Sequence, residues 1–147
     1  MLSGEYRHSL DAKNRVSVPA RLRDELGENF MIVRSIRGTC LRFYSAEAWK
    51  EYVEPLKHLP RKVAENTLWF LYRDAVQVTP DSLGRVVLPV GLLDFAKISQ
   101  KAEAGDRNLV IVGCGDFGEI WSESLYDERV AGMDLDAIRQ ALEESGL

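Results

Sequence analysis

The side chains from which metal centres and redox sites are built are scarce in this chain, which has two cysteines and two histidines in 147 residues. Cys40 and Cys114 stand alone, without a C-x-x-C spacing, and His8 and His58 have no ligand-spaced neighbours. No standard zinc site can be assembled from them, and no metal is expected. Isolated cysteines read as reduced, buried thiols of a cytoplasmic protein rather than as a disulfide. No apolar run approaches the ~20 residues of a membrane span, and Met1-Leu2-Ser3-Gly4-Glu5 does not read as a signal peptide, so no membrane partner is expected. A G-x-x-x-x-G-K-[ST] phosphate loop is missing, and the glycines between 113 and 118 suit a hairpin turn instead. Ser9 or Ser17 with His8 and Asp11 has the letters of a hydrolase triad. No nucleophile elbow accompanies them, however, and neighbours along a strand alternate faces. The chain therefore reads as a protein without catalysis and without a cofactor.

An excess of positive charge is also missing. Nineteen Lys and Arg against 23 Asp and Glu leave a net charge of −4, which argues against a generic nucleic-acid binder. The distribution is uneven. Arg7, His8, Lys13, Arg15, Arg21 and Arg23 crowd into one N-terminal stretch, while acidic residues such as Asp134, Asp136, Glu143 and Glu144 sit in helical segments. A charge run of this kind is commonly a solvated face, yet around a hairpin it is also a footprint able to follow phosphates.

What the chain does have is a repeated phrase. Asp11-Ala12-Lys13-Asn14-Arg15-Val16-Ser17-Val18-Pro19 returns 70 residues later as Asp81-Ser82-Leu83-Gly84-Arg85-Val86-Val87-Leu88-Pro89. The shared pattern is D-x-x-[NG]-R-V-x-[VL]-P, with Leu22 and Leu92 three positions after each proline, and it marks a duplicated supersecondary unit. Asp11 and Asp81 suit the first position of a type I turn. Asn14 and Gly84 can take the left-handed conformation that closes a hairpin with a bulge. Val16-Ser17-Val18 and Val86-Val87-Leu88 then read as strand, ended by proline. An i,i+4 ion pair on a helix is the competing reading of D-x-x-x-R. The turn is the favoured reading, because both copies run straight into β-rich segments behind a turn former.

The rest of each unit aligns as well. Phe30-Met31-Ile32-Val33 matches Leu109-Val110-Ile111-Val112, and return strands follow at Leu41–Tyr44 and Glu119–Trp121. Ser45 and Ser122 then cap helices carrying Trp49 and Tyr126. Helical spacing continues through Ala64, Leu68, Leu71, Tyr72 and Ala75. It returns in Leu135, Ile138 and Leu142, opened by Asp134 and closed by Gly146. The unit is hairpin, short helix, hairpin, helices, written twice: residues 1–54 for the first copy, 55–76 for a connecting helix, 77–126 for the second copy and 127–147 for a C-terminal helix. No low-complexity linker separates the halves. Each, at ~70 residues, would hold a marginal core alone, so they should pack on each other or on neighbouring subunits. Trp49, Trp69 and Phe70 are the apolar surface expected to be covered in that way.

These residues carry a resemblance. The opening G-E-Y-R-H-S-L-D-A-K-N-R-V-S-V-P-A, the second-copy D-S-L-G-R-V-V-L-P and the V-G-C-G-D-F-G-E-I-W hairpin resemble the MraZ family across essentially the whole chain. The resemblance implies an α+β fold of two repeated swapped-hairpin, β-barrel-like units of the AbrB/SpoVT type with peripheral helices. It implies a DNA-binding transcriptional regulator of the bacterial division and cell-wall gene cluster, cytoplasmic and nucleoid-associated. Such a protein would bind direct repeats in its own promoter as a ring-shaped homo-oligomer. A structural or antitoxin-like module without promoter readout is the alternative. By position, Asp11 and Arg15 form the first D-x-x-x-R and Asp81 and Arg85 the second, with Asn14 where the family usually has Gly. Arg15 is then the leading DNA contact, its planar fork suited to a guanine edge or phosphate, and Lys13 at the turn tip suits a phosphate. Asn14 and Arg7 belong to the same face, Arg85 supports it, and Asp11, Asp81 and Gly84 shape the turns.

Overall fold

A computed structural model describes residues 1–99 and 107–147. The first copy contributes β1 (Glu5–Ser9), β2 (Arg15–Ser17), α1 (Ala20–Leu26), β3 (Phe30–Arg34), β4 (Leu41–Ser45), α2 (Ala46–Leu56) and α3 (Arg61–Arg73). The second contributes β5 (Val76–Val78), β6 (Arg85–Val87), α4 (Val90–Phe95), β7 (Asn108–Gly113), β8 (Gly118–Ser122), α5 (Glu123–Ala131) and α6 (Leu135–Glu144). Pro19 and Pro89 do two jobs. They end the short strands β2 and β6, and they stand at the start of α1 and α4, where a helix does not need the missing N–H. Ser45 Oγ accepts from Ala48 N at 3.1 Å and Ser122 Oγ from Leu125 N at 3.3 Å, so both serines cap as expected.

The two copies are interleaved rather than set side by side. Six antiparallel strands run in the order β1-β7-β8-β4-β3-β5, so the first strand of each copy pairs with the hairpin of the other. β2 and β6 form a separate antiparallel ribbon, with Val16 opposite its own repeat equivalent Val86. That register makes the exchange two-fold symmetric. At the centre of the sheet β4 meets β8, where Arg42 Nε lies 3.2 Å from Glu119 Oε2 and the guanidinium packs 4.0 Å from the Phe117 ring centroid.

One core serves both copies. Val16, Leu22, Phe30, Ile32 and Phe43 pack with Val86, Leu88, Leu92, Leu109 and Ile120. A second cluster of Val33, Tyr44, Trp49, Val53 and Leu71 lies beneath α2 and α3. Among the described residues the C-terminal helices have no matching cluster. Neither α5 nor α6 buries a residue, and Leu135, Ile138 and Leu142 on α6 stay 57 %, 40 % and 45 % exposed.

Four expectations need correction. No closed barrel forms among the described residues. The sheet stays open at β1 and β5, because the tight turns and prolines limit β2 and β6 to three residues each and divert them into the ribbon. The tight turns are present, but the strands flanking each one do not ladder with each other; they pair across the copies. Trp49 is buried, packed at tilted and edge-on angles among Tyr44, Tyr52 and Tyr72 instead of awaiting a neighbour, whereas Trp69 is 63 % exposed. Cys40 is buried as expected, its thiol pushed up to about 12 by desolvation, but Cys114 is exposed in the β7–β8 turn.

Candidate nucleic-acid interface

The two D-x-x-x-R turns are built alike. Asp11 N donates to Arg15 O at 3.0 Å and Asn14 N to Asp11 O at 3.1 Å; Asp81 N and Gly84 N make the matching bonds, each at 2.9 Å. Asn14 and Gly84 sit at φ 58° and 78°, the left-handed conformation the turn requires. One carboxylate oxygen of Asp11 accepts from the backbone N–H groups of Lys13 and Arg15, both at 2.9 Å, and the other accepts from Arg15 Nε at 2.7 Å. Asp81 repeats this with Leu83 N at 3.0 Å, Arg85 N at 2.8 Å and Arg85 Nε at 2.9 Å. Each arginine is therefore held at Nε, and its Nη1 and Nη2 have no hydrogen-bond partner among the described residues.

These bonds set the ionisation of the carboxyls. Partial desolvation pushes Asp11 upward, but the Arg15 amide, the Arg15 guanidinium and the Lys13 amide together hold it below the ordinary carboxylate value. Asp81 is lowered first by the Arg85 amide, against a smaller desolvation. A carboxyl depressed in the folded state contributes stability above its unfolded pKa, near ~3.9, and loses it as pH falls through the folded value. Thermal unfolding from about pH 6 to 2 is expected to show a falling midpoint below about pH 4, and Asp11→Asn should flatten part of that fall. An identical pH profile in the variant would show that the Asp11–Arg15 contact contributes nothing.

The ribbon brings the two turns together. Val18 N donates to Gly84 O at 2.9 Å and Leu88 N to Asn14 O at 2.8 Å, so the left-handed residue of each turn is tied to the other copy. Val16 and Val86 point into the core, which leaves Arg15, Ser17, Arg85 and Val87 on the outward face. With Arg15 opposite Val87 and Ser17 opposite Arg85, the arginines are diagonal neighbours, about 7–8 Å apart at the backbone. Lys13 is exposed at the first turn tip, and Leu83, 67 % exposed, takes its place at the second.

Residues 1–69 match the family described as MraZ protein, antitoxin-like. Across its whole length the chain is 34 % identical to the transcriptional regulator MraZ of Clostridium acetobutylicum, the alignment covering 100 % of both chains. The chain belongs to the MraZ family. It is also similar to the transcriptional regulators MraZ of Thermoanaerobacter sp. (37 % identity, 87 % of this chain and 85 % of that one) and Carboxydothermus hydrogenoformans (37 %, 90 % and 88 %). The family match ends before the second turn, but the full-length MraZ relative spans both.

Within this MraZ frame, Arg15, Arg85, Lys13 and Asn14 gather at the ribbon and its turns. Arg7 does not join them: it lies on β1 against α5. Its guanidinium is 3.0 Å from Glu5, 3.3 Å from Glu123 and 3.0 Å from Asp127, and it packs over the Tyr126 ring. Two further arginines stand at the turns: Arg23, already counted in the basic N-terminal stretch, and Arg107, which reading the sequence missed. Arg107, buried, donates to Asp11 O at 2.5 Å and to Asn14 Oδ1 at 3.0 Å. Arg23 donates through Nε to Val18 O at 3.0 Å and lies against Gly84. No local pattern marks these contacts, because each arginine touches a turn of the opposite copy. Among the described residues no His, Cys, Asp and Glu cluster could hold a metal, and no helix is long and apolar enough to cross a membrane.

Proposed function

We propose that this protein is a sequence-specific DNA-binding transcriptional regulator that acts at the promoter of the bacterial division and cell-wall gene cluster, its own included. The observation that carries the reading is the outward face of the β2–β6 ribbon. Two arginines sit there diagonally, each held by its own aspartate at Nε, with their Nη ends unengaged by the described residues. A guanidinium fixed in this way presents two parallel donors, the arrangement that reads a guanine edge or grips a phosphate. Arg15 leads, with Lys13 beside it on phosphate and Asn14 shaping the approach. Arg85 supports them, and Arg7 would first have to leave its three carboxylates. The relatives described above, named transcriptional regulators, support the same reading. The exchange of β1 and β5 between hairpins is what a swapped-hairpin unit of the AbrB/SpoVT type would show, with 55–76 and 127–147 as its helical additions.

One subunit of net charge −4 holds DNA weakly. Affinity then comes from a ring of subunits engaging successive direct repeats through effective concentration, in association with the nucleoid. The uncovered stripe of α6 and the exposed Trp69 are surface that neighbouring subunits would bury. Promoter fragments bearing one, two and three repeats test this. Affinity should climb with repeat number and collapse when ~5 base pairs are inserted between repeats spaced at about 10–10.5 base pairs. Equal affinity for one repeat and three, indifference to the insertion, or a monomer by light scattering at micromolar concentration would contradict it.

A further inference from the structure

We propose that the DNA-facing turns are completed crosswise by two arginines outside the repeated motif. Arg23 of the first copy serves as the phosphate-contacting cation of the second turn, and Arg107 of the second copy is the positioning residue of the first. This inference rests on the DNA-binding reading of the ribbon.

Arg107 is 7 % exposed and its fork is directed inward. Nη1 donates to Ser99 O at 2.7 Å, while Nη2 donates to Asp11 O at 2.5 Å and Asn14 Oδ1 at 3.0 Å. Its own carbonyl accepts from Leu10 N at 2.9 Å. Arg107 therefore spans the first turn from entry to left-handed corner and has no reach toward a duplex. It sets where Lys13 and Arg15 stand, and displacement of a contact group by a fraction of an ångström weakens a directional bond. The asparagine in place of glycine at position 14 also gains a purpose, since its side chain supplies one of the acceptors of Arg107.

Arg23 differs in that it is half-buried. Its Nε donates to Val18 O at 3.0 Å, and Val18 N in turn donates to Gly84 O at 2.9 Å, so guanidinium, strand end and second turn form one unit. A Cβ at position 84 would stand 2.6 Å from Arg23 Cζ and 2.9 Å from Nη2, so only glycine lets the guanidinium lie across this turn. The tip of that turn is Leu83, which has no charge to offer a phosphate. Asp24, Glu28 and Asp81 line the shallow groove alongside. Asp81 is paired with Arg85, and without Arg23 the edge would present Asp24 and Glu28 to the backbone of DNA. The 70-residue offset pairs Arg23 with Leu93, and the strand alignment pairs Arg107 with Glu28. Neither arginine is duplicated, so the two braces complement each other and the second turn is less poor in cations than its own segment suggests.

The test is affinity against salt concentration on two duplexes: one from the region upstream of the protein's own gene, and one of scrambled sequence. Arg23→Ala should reduce the salt slope by about one on both duplexes, while Arg23→Lys keeps the parental slope. Arg107→Lys, which retains charge but loses the fork, should leave the slope unchanged and lower the upstream-to-scrambled affinity ratio. Asn14→Gly keeps the left-handed turn and removes an acceptor of Arg107, so it should lower the ratio in the same direction even if the Arg107 variant unfolds. A parental slope in Arg23→Ala, or parental ratios in both Arg107→Lys and Asn14→Gly, overturns the inference while leaving ribbon binding intact. A parent protein whose binding ignores salt overturns the DNA-binding reading itself, and this inference with it.

Discussion

Replacing Arg15 by alanine is expected to lower affinity for an upstream-promoter duplex by about 1–3 kcal/mol, roughly 5- to 150-fold, and to relax the choice of sequence. The size follows from the geometry. Asp11 holds Nε at 2.7 Å, so the guanidinium is oriented before DNA arrives and the Nη pair can meet a base edge without a large ordering cost. Arg15→Lys should rescue little, because a point charge cannot replace a planar fork. Lys13→Ala should behave differently, weakening all sequences alike and reducing the salt slope by about one. The Asp11–Arg15 contact is roughly a third exposed on the Asp11 side, so Arg15→Ala should change global stability little. Fluorescence anisotropy with the wild-type protein in parallel checks this. Unchanged affinity in a variant that keeps its oligomeric state would remove Arg15 from the interface.

The largest effect on stability is expected from Phe43→Ala, at about 3–5 kcal/mol of unfolding free energy. Phe43 is 2 % exposed and packs edge-on to Phe30, with centroids 6.3 Å apart. It also stands opposite Gly118 in the central β4–β8 pair, where the two copies meet. A Cβ on Gly118 would lie 2.0 Å from Phe43 Cζ, so the ring fills the space that the glycine leaves open. Removing it opens a cavity at the seam between copies, and one cooperative transition should move to lower denaturant instead of splitting in two. Urea unfolding followed by tryptophan fluorescence measures this. A loss under about 1 kcal/mol would mean the seam is not a packed core.

Much of this was legible in the sequence because it is local. The Asp and the Asn or Gly of each motif define a turn within five residues, and both turns formed with the left-handed corner where the pattern put it. Ser45 and Ser122 announce helix starts by their own side-chain chemistry, and Asp134 opens α6 through a bond to Ala137 N at 3.1 Å. The repeat offset also implied that equivalent strands exist.

What stayed hidden is long-range. Nothing in the apolar pattern of β1 says that it pairs with β7 of the other copy rather than with β2, since an alternating strand suits either partner. The same blindness covers the contact of Arg23 with Gly84 and those of Arg107 with Asp11 and Asn14, which cross to the opposite repeat. It covers Trp49 too, because helical spacing marks an apolar face without saying whether this chain or another covers it. Arg7 shows the reverse case: a run of basic residues near the turn counted it as DNA-facing, while the fold sets it among Glu5, Glu123 and Asp127.

The most direct test of the central claim is a hydroxyl-radical footprint of the protein on the DNA upstream of its own gene, with the parent and with the Arg15→Ala, Arg85→Ala double variant. The account predicts short protected patches on one side of the duplex, recurring at about 10–10.5 base pairs and lost in the double variant while its oligomeric state is kept. No protection by the parent protein, or the same pattern in the double variant, would contradict it.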